Sequence, residues 1–212
     1  MSNLNPERAL IFRIVHVANL SWILDHGLHC RNSPTQDPNH INIGNPDLIE
    51  KRAHRQVPIP PGGTLSDYVP FYFTPFSIMG YNIKTGHGAI TRRENQDIVM
   101  LVSSIHRLRE QAVPFVFTNQ HAYPVDTEFF DQPEDLIQID WPLLRGRNFK
   151  TSDEDPGRQV RYQAEALVHR HVPLAALFGI ACSDEAVCSL LKSMIEARGL
   201  AITVHATPGF YF

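Results

Sequence analysis

The stretch Arg161-Tyr-Gln-Ala-Glu165-Ala-Leu-Val168 sets one carboxylate, Glu165, in a run that otherwise reads as a partly buried strand. Burying an ionisable group costs desolvation free energy, so a carboxylate kept there points to a use. A glutamate on the solvent face of an edge strand is the plain alternative. Upstream stretches bear on that choice. Tyr68-Val-Pro-Phe-Tyr-Phe-Thr-Pro-Phe-Ser-Ile-Met79 reads as an aromatic strand, a turn and a short apolar segment, and Ala9-Leu-Ile-Phe-Arg13-Ile-Val-His16 as an N-terminal strand with cationic or polar positions.

Working outward, residues 97–102 and 115–118 read as buried strands with a helix over 104–111 between them. Runs this apolar belong in a sheet covered on its faces. Residues 178–182 read as a strand, followed by a helix from Ser183 or Asp184 closing at Gly199 and a strand over 201–205. Asn19 is placed to cap a short helix whose Trp22, Ile23 and Leu24 are apolar and whose exit is Gly27. Asn45-Pro46-Asp47 is a helix start, with a capping side chain, proline in the first turn and a carboxylate at the positive dipole end. That helix carries Arg52 near its C-terminus. Residues 58–63 form a Pro/Gly link that lacks the Lys-Ser/Thr ending of a phosphate loop.

A chain of 212 residues suits one domain spanning residues 1–212. No apolar run approaches the roughly 20 residues of a membrane-spanning helix, and the first residues lack the basic and apolar pattern of a signal peptide, which predicts a cytoplasmic protein with no membrane contact. The three cysteines, Cys30, Cys182 and Cys188, follow no metal spacing and read as reduced, buried thiols. The net charge of −3 announces no bulk nucleic-acid binder. The cations are nonetheless clustered, at 51–55, 92–93, 145–150 and 158–161, which fits either solvated faces or a groove gripping a few phosphates.

Several side chains admit two readings. His16 is equally a structural histidine and a ligand contact, whereas His121 follows a strand end and is favoured for the site. His169 and His171 are expected to share a strand face, suggest a metal superficially, lack a third ligand and are taken as structural. Strand alternation lets only one of Tyr72 and Phe73 face a cleft. Arg52 competes with a helix-surface ion pair to Asp47 or Glu50.

Arg13-Ile-Val-His16-Val-Ala-Asn-Leu20, Asn42-Ile-Gly-Asn-Pro-Asp-Leu-Ile-Glu-Lys-Arg52, the segment from Gly62 to Met79, Pro114-Phe-Val-Phe-Thr-Asn-Gln-His121 and Gln163-Ala-Glu165 together resemble, in order, the DarT family of DNA ADP-ribosyltransferase toxins. The resemblance implies an α+β, ADP-ribosyltransferase-like fold in which two small packed sheets with flanking helices form an NAD cleft. It implies transfer of ADP-ribose from NAD, as co-substrate and with no metal, to thymine in a short context of single-stranded DNA. It further implies a DarG-type macrodomain antitoxin as partner and a monomer. Transfer to guanine, RNA or protein, or a non-catalytic module binding single-stranded nucleic acid, are the rival readings.

By the same resemblance Glu165 and Arg52 are catalytic, and Arg13, His16, Asn19, Leu20, Tyr72 and Arg52 hold NAD. Met79 and His121 are placed near the reacting centre on the DNA side. The polar stretch over residues 126–161 would select the acceptor, with Arg145, Arg147, Lys150, Arg158 and Arg161 as candidate DNA contacts.

Overall fold

The computed structural model describes residues 3–212. Met1 and Ser2, where the reading of a leaderless start begins, lie outside the described residues. The strands are β1 (Leu10–His16), β2 (Leu28–His29), β3 (Tyr68–Tyr72), β4 (Ile98–Ser104), β5 (Phe115–Thr118), β6 (Phe129–Phe130), β7 (Glu165–His169), β8 (His171–Val172), β9 (Gly179–Cys182) and β10 (Thr203–Ala206). The helices are α1 (Leu20–His26), α2 (Pro46–Arg52), α3 (Ile78–Thr85), α4 (Ile105–Glu110), α5 (Trp141–Gly146), α6 (Arg158–Arg161) and α7 (Glu185–Glu196). Among the described residues, no helix is long and apolar enough to cross a membrane.

Eight strands form one sheet in the order β10-β9-β4-β1-β3-β7-β5-β6, and β2 pairs with β8. Among the described residues only β9 and β10 run parallel; a tight turn cannot join parallel neighbours, and α7 is their crossover. The two small sheets implied by the resemblance are the halves of this one sheet. β1 pairs with β4 along its whole length, and β3 with β7 from Tyr68–His169 to Tyr72–Glu165. β1 and β3, however, meet in register only at Phe12–Tyr72. Beyond that seam the halves part, and the facing residues of both strands line a cavity.

Period-two alternation covers both faces. On β4, Val99 and Leu101 enter the main core while Ile98 and Met100 pack on the opposite side. On β7, Ala166 and Val168 face the main core and Leu167 faces away from it, so Glu165, two residues before Leu167, shares the latter face. The same logic separates Tyr72 from Phe73. Phe73 is fully buried, edge-on to Phe117 and Trp141, and Tyr72 turns to the cavity.

Three local expectations are corrected. The strand expected over residues 161–168 starts only at Glu165, because residues 161–164 are tied in turns, with Gln163 N donating to the Val160 carbonyl and Ala164 N to the Arg161 carbonyl. Asn19 does not cap α1: its own backbone is already helical, so its side chain cannot reach the first free N–H groups. Instead it exchanges two hydrogen bonds of 2.9 Å with the backbone of Ile41, pinning the 31–44 loop. Finally, His169 and His171 do not share a strand face, because Arg170 takes a left-handed φ of 63° and separates β7 from β8. His169 packs on Tyr68 and His171 on His29.

Candidate active site

Glu165 opens β7 directly opposite Tyr72. Its side chain is only 2% exposed, and Arg52 Nη1 lies 2.9 Å from Oε2 and 3.2 Å from Oε1. The backbone N–H of Ala122 donates to Oε1 at 2.9 Å, and His121 Nε2 stands 3.9 Å from the same oxygen. Burial pushes this carboxyl up, but Arg52, His121 and the Ala122 N–H outweigh it, so the group sits below the ordinary carboxylate range. It is therefore an anion at neutral pH. The strand start is held by Thr118, whose Oγ1 accepts from Glu165 N at 3.2 Å and donates to the Gln120 carbonyl at 2.6 Å.

Arg52 arrives at the end of α2, whose start is set by the Asn45 side chain accepting from Leu48 N at 3.0 Å and by Pro46 in the first turn. The helix-surface ion pair is not formed: Glu50 is taken by Arg31 at 2.9 Å, and Arg52 turns inward. Its Nη2 is buried without a hydrogen-bond partner, and so is Nε of Arg13. Arg13 bridges the seam, its Nη1 donating to the Pro70 carbonyl at 3.2 Å. Two half-buried cations with buried, unsatisfied donors beside a cavity are suited to an anionic ligand.

Tyr72 donates its hydroxyl to Met79 Sδ at 3.7 Å. Burial and the neighbouring Glu165 push its pKa up to about 12, so it stays a protonated donor. His121 Nδ1 accepts from Tyr123 N at 3.2 Å, which leaves the neutral ring's proton on Nε2, facing Glu165. Burial lowers its pKa, Glu165 raises it and Arg52 lowers it; the net direction is down, and the ring is neutral at pH 7.

These groups line one cavity of about 500 Å³, a size suited to a dinucleotide or drug-sized ligand. Arg13, Asn19, Arg52, Tyr72, Met79, His121 and Glu165 all border it. His16 and Leu20 do not. The His16 ring accepts from Ala18 N at 3.1 Å and caps a 3-10 turn, and Leu20 is fully buried in the core. The candidate DNA cations also stand off the cavity. Arg158 and Arg161 bind Asp155 at 3.0 Å, Arg161 adds Asp140 at 3.3 Å, and Arg145 donates to the Leu4 carbonyl at 2.9 Å. Arg147 lies over the Phe76 ring, and Lys150 is exposed. Trp22, His40, Asn42 and Gln163 border the cavity as well. Gln163 sits two residues before Glu165 in the Gln-Ala-Glu signature, whereas His40 reads in sequence only as part of a loop. Among the described residues, no group of three or more His, Cys, Asp or Glu side chains is placed to hold a metal ion.

The family model described as ssDNA thymidine ADP-ribosyltransferase, DarT, matches residues 12–212. A DNA ADP-ribosyl transferase of Escherichia coli O127:H6 (strain E2348/69 / EPEC) is 52% identical over 211 residues, covering 100% of this chain and 97% of the relative. The Thermus sp. 2.9 DarT structure in complex with ADP-ribosylated ssDNA superposes with a TM-score of 0.89 at 32% identity, covering 98% of each chain. The same protein in complex with NAD+ gives a TM-score of 0.82 at 32% identity, over 98% of this chain and 99% of that one.

Proposed function

The chain belongs to the DarT family of single-stranded-DNA thymidine ADP-ribosyltransferases, and from that premise we propose how its own residues carry out the transfer. NAD occupies the 500 Å³ cavity, with its pyrophosphate drawn to the unsatisfied donors of Arg13 and Arg52. Tyr72 and Met79 wall the nicotinamide end. Nicotinamide leaves as a neutral molecule with the electron pair of the glycosidic bond, and C1′ of the ribose becomes an oxocarbenium-like cation. Glu165, held ionised, stabilises that cation where charge develops. Because the leaving group is cationic before cleavage, no metal is required to draw it off.

A ring nitrogen of thymine then supplies its electron pair to C1′. As that bond forms the ring N–H becomes strongly acidic, so a carboxylate of low basicity suffices to take the proton, and Glu165 is the acceptor. His121 Nε2–H is placed to donate to a carbonyl of the incoming base, and Arg52 keeps Glu165 charged until the proton arrives.

The observation that carries this reading is the buried Arg52–Glu165 pair in the cavity wall, with the Ala122 N–H on the same carboxylate. Watson–Crick pairing occupies the ring nitrogen, so a duplex base would first have to be extruded at a cost of a few kcal/mol; the acceptor is single-stranded. ADP-ribose there blocks templating, which makes the enzyme a toxin and calls for a macrodomain antitoxin that strips the mark. The protein acts as a cytoplasmic monomer. The test is to incubate it with NAD and oligonucleotides in which each base is replaced in turn, and to weigh the products. Gain of one ADP-ribose only when thymine is present in single-stranded DNA is expected. Labelling after every thymine is removed points to guanine, and labelling of RNA or protein alone refutes the reading.

A further inference from the structure

Three large rings gather at the surface beside the site. Tyr81 and Phe212 are 40% and 41% exposed, and Phe149 lies edge-on to both, at centroid distances of 5.6 Å and 6.4 Å. Tyr81 and Phe212 are themselves 5.6 Å apart. Exposed aromatic rings of this kind offer a flat apolar surface to a ligand. Next to it the Arg147 guanidinium lies 3.7 Å from the centre of the Phe76 ring, and Phe76 packs against Phe212 at 6.0 Å. Arg147 holds this place as the residue that ends α5, in the left-handed conformation (φ of 54°) common at helix C-termini. Arg147 is exposed.

The patch does not border the cavity itself but is tied to the elements that do. Tyr81 lies on α3, the helix whose Met79 borders the cavity, and Phe149 packs at 5.4 Å on Tyr162, three residues before Glu165. We propose that Tyr81, Phe149, Phe212 and the Arg147 plane form a stacking platform for a nucleobase flanking the modified thymine. The proposal rests on the reading of the chain as a transferase to single-stranded DNA. An unpaired base offers a free π face, and aromatic rings and guanidinium planes receive it with little regard to its identity. The cation beside the rings suits the adjoining phosphates, which a purely apolar partner would not require. Bases in a duplex have both faces occupied by their neighbours, so the platform favours single strands.

The test is a cycle of protein variants against oligonucleotides. Single-stranded DNA with one target thymine is compared with a series in which each flanking base in turn is an abasic site, and transfer is read as kcat/KM by mass. For the unaltered protein, one flanking position is expected to matter by about tenfold, the size of one base–aromatic stack. That preference should collapse toward one in Tyr81→Ala and in Arg147→Gly, and persist in Tyr81→Phe. Glycine adopts the backbone conformation of residue 147 without strain, so Arg147→Gly guards against loss of the fold. The inference is overturned if no flanking base matters, or if the preference survives both Tyr81→Ala and Arg147→Gly. Failure of the unaltered protein to modify any oligonucleotide refutes the transferase reading beneath it.

Discussion

Arg52→Ala should destabilise the free protein in a way that depends on pH with a sign opposite to that of an ordinary paired carboxylate. In the unaltered protein Glu165 is held below its ordinary value of 4.5. The stability this contributes is present above 4.5 and lost as pH falls through the folded-state value. Removing Arg52 deletes the main contact opposing burial, so the carboxyl of the variant moves above 4.5. The folded variant then binds a proton that the unfolded chain does not, and it gains stability as pH falls from 7 toward 4.5. An unpaired buried charge costs about 3–5 kcal/mol, but protonation is an escape. Protonating a carboxyl of ordinary pKa costs about 3.4 kcal/mol at pH 7 and about 0.7 kcal/mol at pH 5. The penalty should therefore be near 3 kcal/mol at pH 7, roughly 6–12 °C in Tm for a domain of this size, and under about 1 kcal/mol at pH 5. Unfolding of Arg52→Ala and of Arg52→Ala/Glu165→Gln at both pH values, without NAD, checks this. The double variant, with a neutral amide in place of the carboxylate, should recover most of the loss at pH 7. An equal deficit for Arg52→Ala at pH 5 and pH 7 would refute the coupling of these two residues.

Glu165→Gln keeps one oxygen acceptor for the Ala122 N–H and Arg52 but turns the other oxygen into a donor facing Arg52, so Tm should fall moderately while the folded variant loses at least about two orders of magnitude in transfer; near-normal turnover in a mass-based assay would remove Glu165 from the chemistry. For the unaltered protein, transfer should stay level from pH 8 down to 6.5, because Glu165 titrates below 4.5 and His121 below its ordinary 6.5; an acid limb centred above 6.5 in the pH–rate profile would contradict both directions. Arg161→Ala should lower Tm, since Arg161 ties Asp155 and Asp140 across the segment that leads to Glu165. Lys150→Ala, at an exposed position with no ion pair among the described residues, should instead leave Tm alone and shallow the dependence of DNA modification on salt by about one phosphate contact; the reverse pattern would exchange their roles.

The sequence by itself determined everything whose cause lies within a few residues. The Asn45-Pro46-Asp47 start of α2 and the start of α7 at Ser183 or Asp184 are short-range hydrogen-bond requirements; the structure has the first as read and takes Asp184 as the cap of the second, while α7 ends at Glu196, with Gly199 supplying the positive φ of the exit just beyond. Alternation narrowed the cleft-facing aromatic to Tyr72 or Phe73, and the oddity of a carboxylate among apolar residues singled out Glu165. Ordered motifs along the chain carry the resemblance to the family without reference to any long-range contact.

Tertiary structure alone decided which long-range partners those residues take. To Arg52, Asp47 and Glu50 are nearer in sequence than Glu165, which is 113 residues away; closure of the sheet, and the capture of Glu50 by Arg31, settled that competition. The same holds for Asn19, read as a cap and found clamping Ile41, and for Arg158 and Arg161, read as candidate DNA contacts and paired in the fold with Asp155. A cap or a turn reaches three or four residues, so its outcome is written locally. An ion pair forms with whatever charge the folded chain brings within about 4 Å, and burial then multiplies its strength. The seam at Phe12–Tyr72, where two half-sheets part to open the cavity, is likewise a property of how strands pair and not of any one strand.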